Sequence, residues 1–162
     1  MNATDGLVLP VVEPDSDAAG AEIVLADYVL SDQVGHRLRR AHQRATAIFI
    51  NGIADAQLTP TQWAALVTLH TCGPLSQNQL GRLTFMDPAT TQGVIVRLAE
   101  RGLVDRVPDP HDRRRTSVRL TPVGEAAVLQ NLSRAHEITA RTLEPLSPEE
   151  QQELLRLLSR LM

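Results

Sequence analysis

Aromatic residues are nearly missing from this chain: Trp63, Tyr28, Phe49 and Phe85 are all it has, 2% of 162 residues. A core with so few rings must be aliphatic, from Leu, Val, Ile and Ala, which suits packed helices better than a β-sandwich. Cysteine is scarcer still. Cys72 stands alone, so no intramolecular disulfide can form and a reducing compartment is the default. No run approaches the roughly 20 apolar residues of a membrane span. The N-terminus also lacks the basic start of a signal peptide, so the chain is expected to be cytoplasmic. Lysine is absent. All 16 bases are Arg, through coding bias or because guanidinium suits bidentate phosphate and carboxylate contacts. No metal-ligand cluster or phosphate loop is visible: His36 and His42 do not share a helix face, and Ser76 has no obvious general base. The chain does not read as an enzyme, and no metal or cofactor is expected.

The net charge of −3 argues at first against nucleic acid, but the charges are unevenly spread. Residues 1–32 hold seven acids and no base, leaving 16 arginines against 12 acids in the other 130 residues, a net of +4. Residues 1–22, rich in Asp, Ala, Gly and Pro and without periodicity, read as an acidic disordered arm, either a solvated tail or a screen for a basic face. Residues 23–162 read as a single domain.

Within that domain the helix punctuation is clear. Thr59-Pro60, Asp87-Pro88, Thr121-Pro122 and Ser147-Pro148 each set a capping side chain before a proline at the first helical position. Gln62 and Glu150 complete capping boxes, and Ser76 with Gln79 makes another. With an amphipathic run from Ser31, the spacing predicts six helices, near 31–54, 60–71, 76–83, 87–101, 122–143 and 148–161. Gly73 and Gly102 would close the second and fourth. Two short segments rich in β-branched residues, 103–107 and 116–120, flank a polar turn and read as a β-hairpin. The fold class is therefore mainly α with one small hairpin.

Two short helices followed by a hairpin match a winged helix-turn-helix over residues 60–120, whose second helix enters the major groove by its N-terminal half. Here that half contains Thr90, Thr91, Gln92 and Gly93. Threonine donates or accepts, and glutamine can bond an adenine edge bidentately. Arg113, Arg114 and Arg115 at the hairpin tip suit phosphates or a narrow minor groove, with Asp112 pairing to one of them. Ser76, Arg82, Arg97 and Arg101 are further candidates for backbone contact.

At this point the sequence resembles the MarR family of bacterial regulators over about residues 31–160. The match is carried by Leu98-Ala-Glu-Arg-Gly-Leu-Val-Asp-Arg-Val-Pro-Asp-Pro-His-Asp-Arg-Arg-Arg115 and by Leu120-Thr-Pro-Val-Gly124. The resemblance implies an obligate homodimer, formed by helices in 31–58 and 122–162, on a pseudo-palindromic operator in double-stranded DNA. It places Thr90, Gln92 and Gly93 where the family reads bases, and Asp112 and Arg114 on the wing motif. Gly93 departs from the longer polar residue common there. Independently, Leu154, Leu157, Leu158 and Leu161 form one stripe at helical spacing, widened by Leu155, that needs a covering surface.

The family usually binds a small anionic aromatic effector between its dimerisation helices and the DNA-binding lobe. The segment from Tyr28 to His36 resembles members that respond to aromatic acids or their coenzyme A thioesters. His36, Arg37, Arg40 and Arg44 are the cationic candidates for that ligand, with Trp63 as an apolar wall. Two rivals stay open: a winged helix used only for protein interaction, and a redox sensor acting through Cys72 beside His70.

Overall fold

Proline one residue after a capping side chain starts four of the helices in the computed structural model, which describes residues 24–25, 28–53, 56–108 and 116–162. The described residues contain six α-helices: α1 (Val34–Gly52), α2 (Pro60–Cys72), α3 (Gln77–Leu83), α4 (Pro88–Glu100), α5 (Pro122–Leu143) and α6 (Pro148–Leu161). Thr59 and Ser147 each accept a hydrogen bond from the backbone N–H three residues on, and the Gln62 and Glu150 side chains each accept one from the backbone N–H of the cap residue. Ser76 and Gln79 start α3 in the same way. These reciprocal bonds satisfy N–H groups that the first helical turn leaves orphaned.

The chain forms two compact units, one ending at Ala41 and one beginning at His42. In the first, β1 (Val24–Leu25) and β2 (Tyr28–Val29) pair antiparallel, with Val24 opposite Val29. A 3-10 turn follows over Leu30–Asp32, and Gln33 then adopts an extended conformation. That residue delays α1 to Val34, three residues after the expected start. The acidic arm at 1–22 lies outside the described residues.

In the second unit the core is aliphatic, as the composition requires. It is built from Ile53, Leu58, Leu66, Leu69, Leu80, Val94, Ile95, Leu98, Val104, Val118, Val128 and neighbours, with Phe49 the one ring among the described buried residues. Helix α2 lies at its centre and touches α3, α4, α5 and the hairpin. Each large aliphatic side chain buried there contributes on the order of 1.5–3 kcal/mol.

The hairpin strands are β4 (Val104–Pro108) and β5 (Thr116–Leu120). The sheet is larger than the sequence pattern indicates. A two-residue strand β3 (Leu75–Ser76) pairs antiparallel with β5, Leu75 opposite Val118, giving the order β3-β5-β4. The wing is thereby tied to the segment that starts α3.

The Leu120-Thr-Pro-Val-Gly124 motif has a structural reason. The Thr121 N–H donates to the Leu103 carbonyl at 3.1 Å and its hydroxyl donates to the Gly102 carbonyl at 2.6 Å, while the same oxygen caps α5 through the Gly124 N–H. A β-carbon at Gly124 would overlap the Leu103 carbonyl, so α5 can approach the start of the wing only with glycine there. Among the described residues no helix is long and apolar enough to cross a membrane.

Candidate nucleic-acid interface

Helix α4 divides its residues cleanly between two faces. Thr91, Val94, Ile95 and Leu98 are buried, whereas Gln92, Val96 and Arg97 are exposed and Thr90 and Gly93 half-exposed. The buried set recurs at three- and four-residue spacing and fixes the helix to the core.

Thr91 is thus a correction to the sequence-based assignment. It is 1% exposed, its hydroxyl donates to the Asp87 carbonyl at 2.8 Å, and it cannot reach a base edge. It lies against Gly81 of α3, where a β-carbon would come within 2.8 Å of the Thr91 hydroxyl. That close contact sets the angle of the helix pair. The turn between them closes with Thr84 N–H on the Leu80 carbonyl and Met86 N–H on the Gly81 carbonyl. Phe85 sits in it with φ 54° and is 88% exposed, a left-handed aromatic projecting beside α4.

The polar residues at the start of α4 are bonded to one another. Asp87 accepts from the Thr90 N–H at 2.9 Å and from the Thr90 hydroxyl at 2.6 Å. The Thr90 hydroxyl, and next its N–H, hold the Asp87 carboxyl below its ordinary value of 3.8, so it is an acceptor at neutral pH. Gln92 accepts at Oε1 from Arg106 Nη2 of β4, at 3.1 Å. Gly93 leaves room for Arg97, whose guanidinium nitrogens come within 3.4 Å of where a β-carbon would stand.

Arg82 is exposed near the end of α3. The Ser76 hydroxyl is engaged in the α3 cap. Arg101 is a second correction: it donates to the Gln57 and Ala56 carbonyls at 2.8 and 2.7 Å, and so holds the loop before α2 instead of facing phosphate. Asp112, Arg113, Arg114 and Arg115 lie outside the described residues. Asp105 and Arg119 pair across the wing strands at 3.9 Å.

Among the effector candidates, His36 is half-exposed, and Arg37 and Arg40 are exposed. Arg37 pairs with Asp32 at 2.8 Å and donates to the Ser31 carbonyl. In the second unit Arg44 donates to the Thr142 carbonyl at 2.9 Å, and Trp63 packs against the core. Cys72 is an exposed free thiol at the end of α2, and His70 is engaged by Glu125 at 2.8 Å.

Sequence reasoning missed Arg106. Nothing in the local pattern marks it, because its partner is 14 residues away on another element.

Comparison with known proteins agrees with this geometry. Residues 56–115 match the MarR family. The HTH-type transcriptional repressor NicR of Pseudomonas putida is 40% identical over 135 residues, covering 83% of this chain and 85% of NicR. A crystal structure of a probable transcriptional regulator from Pseudomonas aeruginosa superposes with TM-score 0.78 at 55% identity, covering 82% of this chain and 99% of that one. BpsR of Bordetella bronchiseptica, whose DNA binding is regulated by 6-hydroxynicotinic acid, superposes with TM-score 0.78 at 42% identity, covering 83% and 96%. With a winged helix-turn-helix of this form and relatives of this identity and coverage, the chain belongs to the MarR family of transcriptional regulators.

Proposed function

We propose that the protein is a cytoplasmic, homodimeric repressor that holds a pseudo-palindromic operator and releases it when a small anionic aromatic compound binds. The outward face of α4 carries this reading: Thr90, Gln92, Gly93 and Arg97 stand clear of the core while Val94, Ile95 and Leu98 lock the helix in place. A helix held so firmly can enter the major groove without distorting. Arg82 and the arginines of the hairpin tip, Arg113 to Arg115, would meet phosphates on either side.

Dimerisation is supported by the terminal helix. No residue of α6 is buried, and Leu157 and Leu161, one turn apart on one face, are both exposed. A second copy covering that face would set two α4 helices about 34 Å apart, one DNA turn.

For the effector, the candidate contacts that the first unit supplies are His36, Arg37 and Arg40. The ligand of BpsR is an aromatic acid. A carboxylate would compete with Asp32 for Arg37, and a coenzyme A thioester would offer phosphates to the same guanidinium groups. Binding in the α1 region would then shift the dimer to a state with the wrong α4 spacing.

The test is fluorescence anisotropy on a labelled duplex from the gene's own upstream region, at low salt, with 6-hydroxynicotinic acid and then aromatic-acid thioesters titrated in. Binding followed by release is expected. Failure to bind any such duplex would favour a protein-interaction module, and binding indifferent to every aromatic acid would remove the effector.

A further inference from the structure

We propose that Arg106 is a positioning residue that fixes the sense of Gln92, so that Gln92 meets the major groove as a hydrogen-bond donor and selects guanine over adenine. This rests on the reading of α4 as the helix that enters the groove.

The argument starts from the glutamine amide. Its bidentate bond to adenine needs both ends: Oε1 accepts from the adenine amino group, and Nε2 donates to the ring nitrogen beside it. Here Oε1 already accepts from Arg106 Nη2 at 3.1 Å. A guanidinium carries five donors and no acceptor. The oxygen's second lone pair stays open, but adenine's amino group would have to reach it beside that cation, whose positive charge repels the incoming N–H. Guanine avoids the conflict, since its groove edge presents two acceptors, O6 and N7, and the Nε2 amino group points outward to meet them.

The neighbouring residues extend the pattern. With no side chain at Gly93, the Arg97 guanidinium lies back along the helix over that position, the residue next to Gln92, and adds a second donor-only group there. Thr90 has the opposite sense. Its proton is committed to Asp87 Oδ2 at 2.6 Å, so its oxygen offers lone pairs and its methyl group alone. Internal hydrogen bonds thus turn two ambivalent side chains, an amide and a hydroxyl, into one donor and one acceptor of fixed order along α4. Arg106 belongs to β4, so the sense of the reading helix is set from the wing.

The test begins with duplexes recovered by the wild-type protein from a randomised pool. The base pair that Gln92 reads is the one whose preference disappears in Gln92→Ala. At that pair, anisotropy with all four bases should show wild type favouring guanine over adenine by about tenfold. Arg106→Ala should close or reverse that gap, and Arg106→Lys, whose ammonium can donate to the same oxygen, should restore it. Gln92→Glu keeps the Arg106 contact but removes the donor, and should lose the guanine preference even if Arg106→Ala proves misfolded. The proposal is overturned by a wild-type preference for adenine, by no pair responding to Gln92→Ala, or by Arg106→Ala weakening all four bases equally, as a plain phosphate contact would. Enrichment of no duplex at all would instead remove the DNA-binding reading itself.

Discussion

Helices α4 and α6 begin alike and end differently. Each starts with an acceptor side chain before proline, Asp87-Pro88 and Ser147-Pro148, and each carries apolar residues at helical spacing. Yet α4 buries Val94, Ile95 and Leu98 completely, while α6 buries nothing and leaves Leu161 71% exposed. The apolar stripe of α4 is satisfied inside the chain, which frees its opposite face to be polar and, on the proposed reading, to meet DNA. The stripe of α6 is left over by the monomer, and an apolar face of that kind is a demand for another surface. On the proposed reading, one amphipathic pattern serves recognition in one helix and assembly in the other, and only the packing distinguishes them.

Truncation should separate the two helices most sharply. Leu98→Ala is expected to lower the unfolding free energy by about 2–5 kcal/mol, measured by urea denaturation, because it opens a cavity in the core between α4 and its neighbours. Leu157→Glu on α6 should leave the far-ultraviolet circular dichroism intact and abolish the dependence of melting temperature on protein concentration. A Leu157→Glu protein that sediments as a stable dimer would break the comparison, since α6 would then have no claim to the interface.

Much of this architecture is legible in the sequence, because caps and prolines announce helix starts through local chemistry. Those signals place five helices within one residue of their observed starts, and the amphipathic run from Ser31 places α1 within three. The strands β1, β2 and β3 are not legible: two residues each are too few to alternate, and they exist through pairing with distant or adjacent partners. Thr91 was legible in principle. It lies three, four and seven residues before Val94, Ile95 and Leu98, so the spacing that finds the buried face also assigns Thr91 to it. Arg101 and Arg106 could not be sorted by sequence, since one reaches back 44 residues to a carbonyl and the other to Gln92. An arginine looks the same in sequence whether it holds a loop, a side chain or a phosphate.

A smaller effect concerns how α4 is seated. Gly81→Ala pushes a β-carbon toward the Thr91 hydroxyl and to 3.2 Å from the Met86 carbonyl, and the backbone oxygen cannot rotate away. Stability should fall by roughly 1–3 kcal/mol, readable in urea midpoints. Because the helix pair must open slightly to admit the methyl, duplex affinity should fall at protein concentrations and temperatures where the variant is fully folded. Unchanged affinity there would mean that the α3–α4 angle tolerates more variation than the packing of Thr91 suggests.

The smallest expected effect is acid sensitivity at the two helix starts. The Asp87 carboxyl is held below 3.8 by the Thr90 hydroxyl and N–H, and the Glu149 carboxyl below 4.5 by its own backbone N–H and the Ser147 hydroxyl. A carboxyl with a lowered native value binds its proton more readily when unfolded, so its contribution is complete above the ordinary value and is lost as pH falls through the lowered one. Asp87→Asn keeps a good capping side chain and removes the titration. Its urea midpoint should lie close to wild type at pH 7 and fall less steeply below pH 3.8. Glu149→Gln should do the same for α6 below pH 4.5. For that variant the readout is dimer dissociation by sedimentation, because α6 adds nothing to the monomer core. If acid instead dissociates wild type and Glu149→Gln identically, the seating of α6 does not depend on its first turn, and the leucine face alone holds it.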